Sequence, residues 1–187
     1  MNLGRRAYRI VVRPRSEWDA VRAENRPWWT VLFGHVLPLS FLPAFGWATG
    51  MVLTGATAEQ SGSPGYPFMG SMALTALLSV LCVALLALAF YVLAPMYETE
   101  RNWNRAFSVA GYGTTPVLLA GVLLVMPIMV MGSMVATLHN FVLYYVGLQR
   151  VCGCRQSDAA EYLAFSCLLA AVASGAIGAA GGALGIL

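Results

Sequence analysis

Lysine is absent from this 187-residue sequence, and all eleven basic residues are arginine. Charge of either sign is scarce, at 10% of residues against about 25% in soluble domains. A chain so poor in charge, 59% hydrophobic and with a mean hydropathy of +0.70, has more apolar surface than one water-soluble core absorbs. Without lysine there is no Walker lysine, and no phosphate-binding loop, catalytic-triad spacing or zinc-protease motif is readable. No Asp or Glu interrupts the apolar runs, which removes the usual carrier of an intramembrane proton path. Two histidines, with no carboxylate or thiolate at matching depth, fall short of a closed zinc shell. The sequence therefore points away from an enzyme, a cofactor, a resident metal and a nucleic-acid partner. Arginine in place of lysine suits a GC-rich, bacterial genome.

What is present is a series of apolar runs of about 20 residues or more, the length that crosses a hydrocarbon slab. They fall at residues 28–53, 70–95 and 162–187, with a longer block at 106–148. That block is about twice the crossing length, so it reads as a helical hairpin turning near Met126, Pro127 and Ile128, with spans at 106–126 and 128–148. The expected fold is all-α: a cytosolic amphipathic arm over residues 1–27 and a five-helix transmembrane domain over 28–187. With five crossings, the amino-terminal arm and the islands at 96–105 and 149–161 share one side, and they hold every arginine. The opposite loop, residues 54–69, holds only Glu59. Arginine is retained on the cytoplasmic side, which places the amino terminus inside and the carboxyl terminus outside. A polar stretch separates the arginine-rich start from the first apolar run, so a retained span rather than a cleaved signal is expected.

The arm divides at Pro14. In "LGRRAYRIVVR", Leu3, Ala7, Ile10 and Val11 share one helical face and Arg5, Arg6, Arg9 and Arg13 crowd the other, the pattern of a helix in the headgroup layer. Ser16 to Asp19 has the form of a capping box that opens a second helix. Trp18, Trp28 and Trp29 read as interface anchors. The arginines serve orientation, attraction of anionic lipid headgroups, or contact with a partner protein.

Three stretches, "RPRSEWDAV", "LAPMYETERNWNRAFSVAGYGTTPVLLAG" and "LYYVGLQ", together resemble the Yip domain family, in its bacterial branch. The most specific elements are Gly111, Tyr112 and Pro116, followed by Tyr144, Gly147 and Leu148. The resemblance implies five spans, a cytosolic amino terminus and no enzymatic activity. Eukaryotic relatives act in vesicle traffic and bind prenylated Rab-type GTPases; for the bacterial branch it implies an inner-membrane protein.

Within "AGYGTTP", Pro116 denies the Tyr112 carbonyl its helical partner, and Gly111 and Gly113 soften the same turn, so a kink is expected with the Thr114 and Thr115 hydroxyls returning bonds to freed carbonyls. Irregular backbone at this depth must be packed in protein or line a wet cavity. At 1.5 Å per residue, His35, Thr114, His139 and Asn140 all lie roughly 10–14 Å in from the cytosolic face. His35, Tyr112, Thr114, Thr115, Pro116, His139 and Asn140 are the candidate intramembrane polar site, with Tyr91 and Ser166 at its edge. Cys82 and Cys167 lie within spans, and Cys152 and Cys154 on the reducing side, where structural disulfides are not expected. In span five, Ser174, Gly178 and Gly182 form a small-residue surface for close helix packing, within the bundle or against a second copy. Two functions follow: a membrane scaffold or adaptor that binds protein or lipid through the arm, and a small transporter, channel or lipid-handling protein built on the polar layer.

Overall fold

The computed structural model describes residues 3–53, 68–126 and 130–183, and among these all regular structure is helical. The loop around Glu59, the hairpin turn at Pro127 and Ile128, and residues 184–187 at the end of the fifth apolar run lie outside the described residues.

Helix α1 spans Leu3–Val12 and α2 spans Pro14–Glu24. Proline has no N–H to lose at the first helical position, and its fixed φ suits the helix, so Pro14 opens α2. The expected capping box is therefore interior to the helix; the Ser16 hydroxyl donates back to the Arg13 carbonyl at 3.2 Å. Asn25, at a φ of 38°, ends α2 in the left-handed region.

Helix α3 runs over Trp28–Leu53 and contains a π turn at Leu32–Val36. Helix α4, Phe68–Leu93, continues as a 3₁₀ turn at Ala94–Tyr97. Helix α5, Trp103–Gly113, starts where the Asn102 side chain accepts from the Arg105 N–H at 3.2 Å. Helix α6, Thr115–Ala120, tightens into a 3₁₀ turn at Gly121–Val125; α7 is Val130–Arg150 and α8 is Ala159–Ala183.

Four helical stretches are long and apolar enough to cross a membrane: Trp28–Leu53, Met69–Tyr97, Trp103–Val125 and Ala159–Ala183. The protein is a polytopic helical membrane protein. Helix α7 is not one of the four, although its 21 residues reach about 31 Å. His139, Asn140, Tyr144 and Tyr145 dilute its apolar content.

Pairwise contacts set the helix directions. Gly111 meets Val31 and Val36, His35 meets Thr115, and Gly121 meets Pro43 and Gly46, so residue numbers rise together and α3 runs parallel to α5–α6. Leu123 meets Gly132, Val117 meets Asn140, Thr114 meets Tyr144, and Val109 meets Gly147, so α7 returns antiparallel along the whole of α5–α6. The fully buried side chains Trp18, Phe90, Phe107, Leu143, Leu148 and Tyr162 pack toward the end that carries α2 and the loop at 151–158.

Trp18 is 0% exposed, so it is a core residue and not an interface anchor. Gly147 permits this: a Cβ there would stand 3.0 Å from the indole Cζ2. Trp28 is half-buried and Trp29 is exposed. Helix α8 is buried only at Ala159, Tyr162, Leu163 and Ser166. Its small-residue surface does not pack into the bundle, since a Cβ on Gly178 or Gly182 would meet nothing within 4 Å.

Candidate functional site

The break in "AGYGTTP" is where α5 ends and α6 begins. Thr114 joins them, and Pro116 sits in the first turn of α6, where it lacks an N–H to satisfy the Tyr112 carbonyl. The Thr115 hydroxyl takes over, donating to the Tyr112 carbonyl at 2.6 Å, and the Thr114 hydroxyl donates to the Ala110 carbonyl at 2.6 Å. Gly113 has no Cβ because the Tyr144 ring of α7 occupies that space.

Each threonine hydroxyl owns one proton, so the remaining contacts have a fixed direction. Thr115 Oγ1, its proton committed to Tyr112, accepts from His35 Nε2 at 2.8 Å, which places the His35 proton on Nε2. Thr114 Oγ1 likewise accepts from the Tyr144 hydroxyl at 2.7 Å. The π turn inserts one extra residue into α3 just before this point and aims His35 at Thr115; such bulges recur at functional sites. The His35 ring also meets Tyr112 edge-on, with centroids 4.7 Å apart.

Asn140 closes the break from α7. In one amide orientation its Oδ1 accepts from the Val117 N–H at 3.3 Å; in the other its Nδ2 donates to the Gly113 carbonyl at 3.1 Å and the Ala136 carbonyl at 3.3 Å. The structure thus brings His35, Tyr112, Thr114, Thr115, Pro116 and Asn140 together. His139 points elsewhere: its Nε2 lies 3.2 Å from the Val11 carbonyl, at the end of α1. Adjacent helical residues diverge by about 100°, so Asn140 and His139 serve different faces of α7. Tyr91 packs on Trp103 and Arg101, and the buried Ser166 hydroxyl has no hydrogen-bond partner among the described residues.

The arm's arginines separate into two sets. Arg6 is 3% exposed, with Nη1 2.7 Å from Glu24, Nε 3.5 Å from Glu17, and its guanidinium 4.7 Å above the Tyr112 ring. It is an internal cation and not a headgroup contact, because Glu17 and Glu24, seven residues apart, face α1 from one side of α2. Arg5, Arg9 and Arg13 are exposed, as is Arg15. Arg9 stands 3.8 Å from Glu17; Arg5, Arg13 and Arg15 make no ion pair among the described residues. Elsewhere the loops are tied by Asp19 with Arg150 at 3.1 Å, Glu98 with Arg155 at 2.8 Å, and Glu100 with Arg105.

Tyr144, Glu17 and Glu24 are polar partners that the depth and face patterns of the sequence do not single out. The spacing of two glutamates around Val21 on α2 was the available signal: an acidic and apolar face on a helix this short requires a basic neighbour.

The four cysteines are free thiols. In the loop after α7, burial pushes the Cys152 thiol up to about 12, partly offset by the nearby Arg105 charge, and burial also raises Cys154. The neutral thiol is held in the fold, so Cys152 is expected to resist maleimide at pH 7–9 and to react at once when the chain is unfolded, as read by mass shift. The folded chain keeps a proton that the unfolded chain releases near pH 8.5, so this contribution to stability is lost as pH rises above that value. Among the described residues no group of three or more His, Cys, Asp and Glu is placed to hold a metal ion.

A family model, the Yip1 domain, matches residues 8–177, most of the chain, in agreement with the resemblance carried by the three motif stretches. No curated protein and no solved structure matches the chain.

Proposed function

This chain belongs to the Yip1 domain family and is an integral membrane protein, and on that premise we propose that it is a non-enzymatic scaffold or adaptor. It offers an arginine-rich cytosolic surface to anionic lipid and to a protein partner. The carrying observation is the contrast between two groups of polar residues. His35, Thr114, Thr115, Tyr144 and Asn140 spend their hydrogen bonds on each other and on the backbone of the break, while Arg5, Arg13 and Arg15 stand exposed without an ion pair among the described residues. A transport path needs the first group free; a docking surface needs the second.

In this reading α7 is a fifth crossing, supported by its antiparallel register with α5–α6 over their full length. The amino terminus and both arginine-bearing islands then lie in the cytosol of a bacterial cell, with the carboxyl terminus outside the inner membrane. Lipid handling is the second reading, favoured by one feature: an open groove of about 350 Å³ between α4, α6 and α7, with the Thr114–Tyr144 pair on its wall.

The two readings separate by mutation. Changing Arg5, Arg13 and Arg15 together to glutamine is expected to reduce co-purification of the partner and of anionic lipid by tenfold or more, while Thr114→Val leaves both unchanged. The reverse pattern would favour the groove. A reporter fused after Leu187 that is active only outside the cytosol checks the orientation.

A further inference from the structure

The amino-terminal arm does not sit on the cytosolic tip of the bundle but on its flank. Helix α1 packs on α5 and α6 beside the break, with the Arg6 guanidinium over the Tyr112 ring and the Val11 carbonyl 3.2 Å from His139 Nε2. Tyr112 lies nine residues past Trp103 and His139 eleven residues before Arg150, so α1 meets the bundle about 14–16 Å from the cytosolic helix ends. This offset decides where lipid can reach.

Arg6, Ala7 and Ile10 turn inward, while Arg5, Tyr8, Arg9 and Val12, three and four residues apart, form one outward stripe. Tyr8 is 66% exposed and Val12 53%. Arg13 and Arg15 continue the exposed charge beyond the end of α1. If hydrocarbon extended to the helix ends, this stripe would face the middle of a core about 30 Å thick, where exposed arginine is costly. Only a bilayer surface at the level of α1 spares it.

The rest of the bundle agrees with that level. On α7 the exposed large apolar side chains run from Met131 to Val142 and stop, and along α5–α6 they begin only at Leu119. On the cytosolic side of these points the same helices bury Phe107, Leu143 and Leu148 around Trp18, the packing of a core that faces water. Val92 and Met96 on α4 are the exceptions. On α3 the stretch from His35, level with the break, to Leu53 measures about 27 Å, close to the hydrocarbon thickness.

We infer that α1 lies in the headgroup layer of the cytosolic leaflet, level with the helix break. Arg5, Arg13 and Arg15 meet anionic phosphates, and Tyr8 and Val12 dip toward the acyl chains. The start of α5 and the end of α7 then stand clear of the hydrocarbon as a packed cytosolic platform. The choice of anionic lipid rests on the reading proposed above; the level of the surface does not. Apolar side chains set among the arginines suit a lipid surface, which offers both charge and hydrocarbon.

The test is a depth measurement by electron paramagnetic resonance on the full chain in vesicles of mixed phosphatidylglycerol and phosphatidylcholine. Cys82 and Cys167 are replaced by serine, the buried Cys152 and Cys154 stay, and a nitroxide is attached through Tyr8→Cys, Val12→Cys, Phe141→Cys or Ala160→Cys, all at exposed positions. The ratio of oxygen to nickel-chelate collisions is expected to be several-fold higher at position 141 than at 8 or 12, and several-fold higher at 8 and 12 than at 160. Vesicles of phosphatidylcholine alone should move the two arm labels toward the chelate. Arm labels as deep as position 141 would overturn the placement. Arm labels as open to the chelate as position 160 would also overturn it and leave the arginines to an acidic protein partner, while arm labels indifferent to phosphatidylglycerol would remove the anionic contact. Failure to capture any protein partner would sink the adaptor reading and leave these depths unchanged.

Discussion

Arg6→Met is expected to destabilise the protein by about 3–5 kcal/mol, the usual cost of stripping one partner from a buried ion pair. The Arg6 and Glu17 side chains are 4% and 6% exposed, so water does not reach Glu17 to replace the lost cation, and Arg9, 3.8 Å away and half exposed, compensates it only weakly. Glu24 keeps Arg26, and its loss is smaller. The damage should concentrate where Arg6 ties α1 to α2 and to Tyr112. Trypsin should then cut the arm at Arg9 and Arg15 well before it cuts elsewhere, and the unfolding midpoint in detergent should fall. Replacing the pair together, Arg6→Met with Glu17→Leu, should recover most of the loss, because two apolar side chains of similar volume need no counter-charge. An Arg6→Met protein as resistant to trypsin and heat as wild type would show that the guanidinium is solvated.

The second large effect is expected at Gly121. A Cβ on Gly121 would fall 2.5 Å from Pro43 Cα and 2.7 Å from Pro43 N, and a Cβ on Gly46 would run into the Gly121 carbonyl. These are backbone atoms, so no rotamer change relieves the clash and α3 must move away from the 3₁₀ turn. Gly121→Val should cost about 3 kcal/mol or more, at the upper end of overpacking penalties. It should also loosen the His35–Thr115 bond one layer below. Gly34→Ala is the control: open space surrounds its Cβ, and alanine should be neutral or slightly stabilising. Denaturant titration of both variants in the same detergent decides the matter. Equal midpoints for Gly121→Val and Gly34→Ala would mean that α3 and α6 do not touch at this glycine.

The kink was legible because its cause is local. A proline deletes one named hydrogen bond, and a hydroxyl within one turn restores it, so the role of Thr115 follows from the five residues Tyr112 to Pro116, whereas Thr114 bonds the Ala110 carbonyl, which already accepts from the Thr114 N–H. The membership of the polar layer was partly legible. Depth arithmetic put His139 beside His35, yet depth is only one coordinate, and rotation about α7 sends His139 to Val11 and Asn140 to the break. Arg6 and Trp18 show the same limit on the arm. An amphipathic pattern marks an apolar face and a charged one, but it cannot say that the charged face of α1 meets two glutamates of α2, or that a glycine on α7 leaves room for an indole.

By itself the sequence determined that this protein lives in a membrane and that its third apolar run bends at Pro116. Hydropathy, charge scarcity and a missing N–H are properties of residues and their immediate neighbours, and they hold whatever the rest of the chain does. Only the tertiary structure decided which side chains meet: His35 with Thr115, Tyr144 with Thr114, Arg6 with Glu17 and Glu24, and Gly46 with Gly121. Those pairings depend on the rotation and axial register of each helix against its neighbour. Close packing selects both through contacts between residues far apart in sequence, which no local pattern records.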